Sequence, residues 1–247
     1  MCSQWDASAY DRTSQPQQQW AADVLRRLEG LAPDATVLDV GCGTGRVTEA
    51  LLDLVPRGRV LAIDSSQEMV VIARERLGER AEVWRQDVLE LELERPVDAI
   101  VSTAALHWVT DHDRLWARLA GALRPGGMLE AQCGGEGNIV RVREVIEAAS
   151  RQLAPELADW SPWEFAGAEL TRSRLVSAGF TGVRCWLEDR PTDPRDLSTF
   201  LRTSILPAHL ARLPAHRRER FAEAVTARVR LPLDYVRLNV SAVRAAA

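Results

Sequence analysis

Three glycines at two-residue spacing, Gly41, Gly43 and Gly45, are the residues of this chain with the clearest chemical meaning. They follow an apolar run at residues 37–40 and precede residues that recur at helical spacing. Because glycine has no Cβ, such a loop lets the backbone approach a ligand closely. A buried strand that breaks into a glycine loop and then a helix is suited to contact a nucleoside cofactor.

The spacing of the glycines distinguishes between cofactors. A dinucleotide fingerprint has glycines at its first, third and sixth positions, but the sixth position here is Arg46 and the third glycine is Gly45. This disfavours an NAD dehydrogenase. The Gly-x-Gly-x-Gly form, preceded by the acidic Asp39, resembles motif I of the class I S-adenosylmethionine (SAM) dependent methyltransferases. The resemblance implies SAM as the cofactor, S-adenosylhomocysteine as its product, and an α/β fold with a Rossmann-like seven-stranded sheet covered by helices on both faces.

The other residues of the expected cofactor site follow the ends of strands. Asp64 ends the second strand, where a carboxylate can accept hydrogen bonds from both ribose hydroxyls or cap the next helix. By resemblance to the family, Asp87 receives the adenine amino group and Asp39 helps to hold the methionine amino end. We expect the cofactor to contact Asp39, Gly41, Cys42, Gly43, Gly45, Asp64, Ser65, Met69, Asp87, Val88 and Ser102.

His107 and Trp108 are the first bulky residues after the small residues 102–105, in the segment expected beneath the transferable methyl. Methyl transfer from a sulfonium depends mainly on alignment and desolvation, so no side-chain nucleophile is required. An ionised carboxylate acceptor needs no base, whereas a phenol, amine or carbon acid can need His107 to take a proton. We therefore consider His107 and, in the N-terminal arm, Tyr10 as candidate catalytic residues, and we expect no metal.

Outside the cofactor motifs, residues 5–10, residues 105–108 and the C-terminal third are similar to trans-aconitate methyltransferases, which esterify small polycarboxylates. An anionic acceptor would favour arginine, and Arg12, Arg202 and Arg237 are candidates. The substrate-binding residues we expect are Trp5, Tyr10, Arg12, His107, Trp108, Trp163 and Arg202.

Two alternatives to carboxylate methylation stay open. The cap residues Trp160, Trp163 and Phe165 suggest a partly apolar pocket, which suits a C- or O-methyltransferase with an isoprenoid, polyketide or phenolic acceptor. A domain that binds SAM without catalysis is the second alternative. Detection of any methylated product would exclude it.

Strand-like and helical patterns alternate along the chain, which predicts a parallel sheet wound with helices. We expect a single domain over residues 1–247, with an N-terminal lid and helix at 1–30 and a cap-like insertion at 134–167. The predicted strands are 36–40, 59–64, 81–84, 97–102, 128–132, 183–187 and 235–243. The predicted helices are 20–28, the segment after Gly45, 69–77, 115–123, 139–153, 170–178, 197–205 and 217–229.

Composition limits the remaining possibilities. The net charge is −4 and all 31 basic residues are arginine, but they form no basic stripe, so we expect no nucleic-acid partner. The four cysteines contain no CxxC pair, which argues against a zinc site or a disulfide framework. The N-terminal residues are polar and charged where a signal peptide needs an apolar stretch, and no window approaches the length of a membrane span, so we expect neither segment. We expect a cytoplasmic monomer or homodimer that acts on a small molecule.

Overall fold

A computed structural model describes residues 15–28 and 30–246 of the chain, and within them strands and helices alternate as predicted. The strands are β1 (Thr36–Val40), β2 (Arg59–Asp64), β3 (Glu82–Arg85), β4 (Val97–Thr103), β5 (Leu123–Gly134), β6 (Phe180–Asp189) and β7 (Val236–Arg244). The α-helices are α1 (Gln15–Arg26), α2 (Arg46–Leu54), α3 (Gln67–Leu77), α4 (His112–Ala122), α5 (Val140–Leu153), α6 (Ala168–Ser177), α7 (Leu197–Phe200), α8 (Pro207–Arg212) and α9 (Ala215–Thr226).

The strands form one seven-stranded sheet in the order β3-β2-β1-β4-β5-β7-β6. The strands β1 to β5 are parallel, and β7 runs antiparallel to both β5 and β6. The strand order reverses between β1 and β4, because β2 and β3 lie to one side of β1 and the later strands to the other. Ligands of open α/β sheets bind beside such a reversal, at the carboxyl ends of the strands. The glycine loop follows β1 at this position.

The described residues form four apolar clusters, and the two largest bear on the site. The first lies between the sheet and the helices α4 and α6, and it includes Leu38, Ile100, Trp116 and Leu129, all fully buried. The second lies among α5, the segment that follows it and helices α7 to α9, and it includes Trp163, Phe200 and Tyr235. Trp20 of α1 belongs to this second core. The carboxyl edge of the sheet is thereby faced by a separate group of apolar and aromatic residues.

The structure departs from the sequence prediction at several elements. α1 begins at Gln15 instead of residue 20, β6 spans Phe180–Asp189 instead of 183–187, and α8 was not predicted. β5 begins at Leu123 instead of residue 128, because Leu123 already pairs with Val97 before the glycine turn interrupts the register. The helix predicted at 197–205 is α7 followed by a π-helical turn, Leu201–Ile205. No helix in the described part of the chain is both long enough and apolar enough to cross a bilayer.

Candidate functional site

The glycine loop is held by backbone hydrogen bonds to the next strand. The N–H groups of Gly41 and Cys42 both donate to the carbonyl of Ile63, at 2.8 and 2.9 Å. A Cβ on Gly41 would lie 2.2 Å from the Cβ of Ala105, so this glycine is required by packing. Among the described residues, no atom lies within 4 Å of a Cβ built on Gly43. Gly43 therefore leaves open space where a ligand can lie against the backbone.

Asp64 connects this loop to the start of α3. Its Oδ2 accepts from the N–H of Gly43 at 2.9 Å, and its Oδ1 accepts from the N–H of Ser66 at 2.8 Å. Burial raises the pKa of the Asp64 carboxyl, against the opposing effect of these hydrogen bonds. Each carboxylate oxygen has two lone pairs, so Asp64 can still accept from a ligand hydroxyl. Ser66 is the N-cap residue of α3, so Asp64 holds the N–H of the cap residue and can bind a ligand at the same time.

Asp39 is a buried carboxylate at the end of β1, with 1% of its surface exposed. Its Oδ2 accepts from the hydroxyl of Thr48 at 2.7 Å, whereas its Oδ1 has no hydrogen-bond partner among the described residues. Burial raises the pKa of Asp39 to about 7; the Thr48 hydrogen bond lowers it and the charge of Asp64 raises it. A cationic donor at this position would satisfy the open oxygen and stabilise the ionised form.

The remaining predicted cofactor residues lie on the turns that follow β2, β3 and β4. Ser65 is exposed, and Met69 is buried in the first turn of α3, where its N–H donates to Ser66. Asp87 is exposed and accepts from the N–H of Leu89 at 2.9 Å, which caps the short helix Val88–Glu90. Ser102 has a different position. It is buried and donates to the carbonyl of Val40 at 2.8 Å, so it joins β4 to β1.

His107 lies in a short turn after β4 and faces the end of β5. Its Nδ1 accepts from the N–H of Gly134 at 3.3 Å, so the neutral ring carries its proton on Nε2. Burial, followed by the nearby charge of Arg237, holds the pKa of His107 well below its usual value. The imidazole is therefore a neutral hydrogen-bond donor at physiological pH.

A series of aromatic contacts extends from His107 into the cap segment. Phe165 stacks on the His107 ring with centroids 5.6 Å apart, and Trp163 stacks on Phe165 at 5.5 Å. Trp108 contacts both His107 and Trp163, at 5.4 and 5.7 Å. The predicted residues His107, Trp108 and Trp163 thus come together, and Phe165 joins them.

The candidate arginines have different environments. Arg237 on β7 is buried, and its Cζ lies 4.5 Å from the centre of the Trp20 ring. It is opposite Gly134 in the sheet, next to His107. Arg202 instead forms two hydrogen bonds with the exposed Glu219 of α9, at 3.0 and 2.6 Å. Trp5, Tyr10 and Arg12 lie outside the described residues, so their roles stay predictions.

Two contributors to the site were missed by the sequence analysis. The sequence places Thr48 only within the predicted helix after Gly45, but its buried position on α2 allows its hydroxyl to donate to Asp39. The backbone N–H of Gly134, which fixes the His107 tautomer, depends on strand pairing that a motif does not reveal. Ala104 also has a left-handed conformation, with φ of 55°, in the turn that carries His107. Such a conformation is often found at functional sites.

The arrangement fits a cationic nucleoside cofactor on the β1 and β2 side and an acceptor on the β4, β5 and β7 side. The fit of the cofactor rests on two features of the described residues. The Oδ1 of Asp39 has no hydrogen-bond partner there, and the space beside Gly43 is empty. The fold and site together define an α/β protein that binds a nucleoside-type ligand at the loop after β1, where the strand order reverses.

Comparison with known proteins identifies the family. A family model for a methyltransferase domain matches residues 37–127. A trans-aconitate 2-methyltransferase of Methylobacterium nodulans is 34% identical over 183 residues, which cover 74% of this chain and 67% of that protein. The enzyme of the same name from Acidovorax ebreus is 33% identical over 70% of this chain and 64% of its own length. The chain thus spans about two thirds of the length of these relatives.

A solved structure agrees with this assignment at the level of the fold. The phosphoethanolamine N-methyltransferase 2 of Haemonchus contortus, in complex with SAM, aligns with a TM-score of 0.63 and 18% identity. The alignment covers 92% of this chain and 53% of that one. The present chain belongs to the SAM-dependent methyltransferase family, and SAM is its cofactor. The predicted family, fold class and cofactor are confirmed.

Proposed function

We propose that this protein methylates a carboxylate oxygen of a small acceptor and thereby forms a methyl ester. The observation that supports this acceptor is the buried guanidinium of Arg237 beside the neutral ring of His107. A buried positive charge and a neutral donor at one end of a pocket suit an anion with planar oxygens. The name shared by the curated relatives, trans-aconitate 2-methyltransferase, supports a polycarboxylate as the acceptor.

Some residues of this chain would bind SAM, and others would bind and orient the acceptor. When bound, SAM supplies an activated methyl group on its sulfonium. The glycine loop, Asp39 and Asp64 would hold it, with Asp87 and Met69 at its nucleoside end. Arg237 would fix the acceptor carboxylate, and the Nε2–H of His107 would donate to one of its oxygens. Since a carboxylate is already ionised, the reaction requires alignment and exclusion of water but no proton transfer from the acceptor.

The aromatic contacts suggest what the rest of the acceptor is like. Trp108, Trp163 and Phe165 would present flat apolar surfaces beside the anion-binding end. A planar unsaturated acid suits both environments. The same surfaces support the second candidate, a phenolic or isoprenoid acceptor, because aromatic and isoprenoid groups bind well to indole faces.

We also propose that residues 134–167 form a cap over the acceptor and that α1 belongs to a lid. The support for the cap is that Trp163 and Phe165 come from this segment and stack toward His107. The support for the lid is Trp20 of α1, whose ring lies against Arg237.

The first experiment is product identification. Purified protein is incubated with methyl-labelled SAM and either trans-aconitate or pools of small acids, phenols and isoprenoids. We expect a labelled product from the acids whose label is released as methanol by mild alkali, as an ester requires. A labelled methyl group on a phenolic oxygen or a carbon is not released by alkali. Such a product would contradict the carboxylate proposal and support the second candidate. SAM binding without product would indicate a catalytically silent domain.

The second experiment compares two arginines. We expect Arg237→Leu to lower kcat/KM for the acceptor by about tenfold to a hundredfold, because one charge-assisted hydrogen bond contributes about 1.5–3 kcal/mol. Arg202→Leu is the matched control and should change it by less than about twofold, since an exposed ion pair contributes little. SAM affinity, measured by calorimetry, should be unchanged in both variants. Equal loss of activity in both variants would contradict the role of Arg237.

A further inference from the structure

The outer strand of the sheet, β6, has exposed apolar side chains next to unpaired backbone. It is the last strand in the sheet order, and no strand of the described residues pairs with its outer edge. Trp186 and Leu187, on opposite faces of β6, expose 37% and 38% of their surfaces. The N–H and C=O groups of such an edge can pair with a strand of another chain.

Exposed apolar residues are concentrated at this edge. Of the eight large hydrophobic side chains that are exposed in the described part of the chain, five lie on β6, on its partner β7 or on α6, which packs against β6. They are Leu170, Val176, Trp186, Leu187 and Val243. They lie on or beside β6 on both faces of the sheet, and exposed apolar side chains beside an open sheet edge are typical of an interface that extends the sheet.

The charges of β6 match a second copy of the same strand as the partner of this edge. When two identical strands pair antiparallel about a two-fold axis, residues directly opposite share a face, and the axis passes at one residue position. With the axis at Trp186, Arg184 lies opposite Glu188 of the second copy, and this pair occurs twice. Axes at Arg184 or at Glu188 would place identical charges opposite each other. The charge pattern of β6 is therefore complementary to itself in one register.

The local structure is compatible with this pairing. From Arg184 to Asp189, β6 pairs with β7 in unbroken register, so its outer edge is regular over this length. The Cζ of Arg27 lies 5.0 Å from the centre of the Trp186 ring, which holds the indole in place. Arg184 is exposed. Glu188 contacts Arg190 at 2.8 Å, and a carboxylate can accept further hydrogen bonds.

We propose that two copies of this chain form a two-fold symmetric dimer through the outer edges of β6, in antiparallel register centred on Trp186. The sheet is then continuous across both copies. Pairs of opposite charge across the two strands stabilise the register, and the exposed indole and aliphatic groups become buried.

The test uses charge reversal, with association measured by sedimentation velocity and mass photometry. We expect the unmodified protein to show a concentration-dependent dimer. Arg184→Glu or Glu188→Arg alone should weaken its dissociation constant by about tenfold or more, because each converts two attractive pairs into two repulsive ones. The double variant R184E/E188R should restore the dimer. Arg95→Glu and Glu79→Arg, exposed residues away from β6, are controls of the same charge and should not change association.

Mixing provides a second measurement that a loss of folding cannot imitate. In a mixture of the R184E and E188R single variants, every cross-strand pair between unlike chains is attractive. Native mass spectrometry of the mixture, with one chain isotopically labelled, should show heterodimers in preference to either homodimer. A monomeric protein at all concentrations, or a dimer that both reversals leave unchanged, would overturn the proposal.

Discussion

The two halves of the site are built in different ways. On the cofactor side, most hydrogen bonds come from backbone N–H groups. Gly41, Cys42 and Gly43 each donate one, and the side-chain carboxylate of Asp64 accepts two such bonds. On the acceptor side, the contacts are between side chains, with His107, Phe165 and Trp163 in one series of rings. The first half is fixed by local sequence. The second is assembled from segments that are far apart in the chain.

This difference has a consequence for specificity. Backbone geometry presents the same donors whatever the neighbouring side chains are, so the cofactor half can be kept while the acceptor half changes. Substitution of one aromatic residue in the acceptor half changes the shape of the pocket without moving the glycine loop. Changes of acceptor within this fold are therefore expected to involve the turn after β4, the cap segment and β7.

The largest effect should come from breaking the backbone of the cofactor half. Gly41→Ala places a Cβ 2.2 Å from that of Ala105 and has φ of 74°, so we expect a loss of about 2–5 kcal/mol in the free energy of unfolding. Thermal and urea unfolding would measure it. The new Cβ of Gly43→Ala meets no atom of the described residues within 4 Å, so this variant should cost only about 1–2 kcal/mol of conformational strain but should strongly reduce SAM affinity.

A compensating variant separates the two causes. Ala105→Gly removes the atom that the new Cβ would contact, so the double variant G41A/A105G should recover the packing part of the loss but not the strain. If G41A alone unfolds no more easily than G43A, the close approach of the two turns is not what fixes the loop.

These two halves also differ in how far sequence could predict them. Gly41, Gly43, Asp39 and Asp64 were predictable because their spacing within one β-α-β segment determines their geometry. Arg202 and Arg237 could not be ranked in the same way. Both are arginines on C-terminal elements, and only the pairing of β7 with β5 and the ion pair to Glu219 distinguish a buried cation from a surface one. The seven-stranded sheet with helices on both faces followed from the motif resemblance, whereas the π-helical turn at 201–205 has no distinct sequence signal.

A smaller effect should appear in how stability and SAM affinity depend on pH, through Asp39 in the cofactor half. Asp39 has a pKa of about 7 in the folded protein, above its pKa in the unfolded chain. The free energy of unfolding should therefore decrease as the pH rises from the pKa of the unfolded chain to about 7, and should not change further on this account outside that range. A cationic ligand binds the ionised form, so SAM affinity should fall as the pH decreases below about 7, by up to tenfold per unit.

Asp39→Asn should remove both effects. Above about pH 7 the ligand-free variant should be at least as stable as the original protein, while its SAM affinity should be about tenfold to a hundredfold lower, through loss of one charge-assisted contact. Calorimetric titration at about pH 6 and about pH 8 tests both proteins, and the ionisation of SAM itself contributes equally to each. An unchanged pH dependence in the variant would show that another group titrates.

The smallest expected effect comes from His107, and it distinguishes a hydrogen-bond donor from a general base in the acceptor half. Because burial holds the pKa of His107 well below its usual value and Gly134 occupies its Nδ1, the ring should stay neutral from about pH 6 to about pH 8. With saturating SAM, kcat/KM for a carboxylate acceptor should then be level across this range, whereas a base that titrates near pH 7 would give an acid limb. His107→Phe keeps an aromatic ring against Phe165 but removes the Nε2–H donor, so we expect a loss of about twofold to tenfold at every pH. A loss that grows toward acidic or alkaline pH would instead place a proton transfer at His107, and with it an acceptor that must be deprotonated before it is methylated.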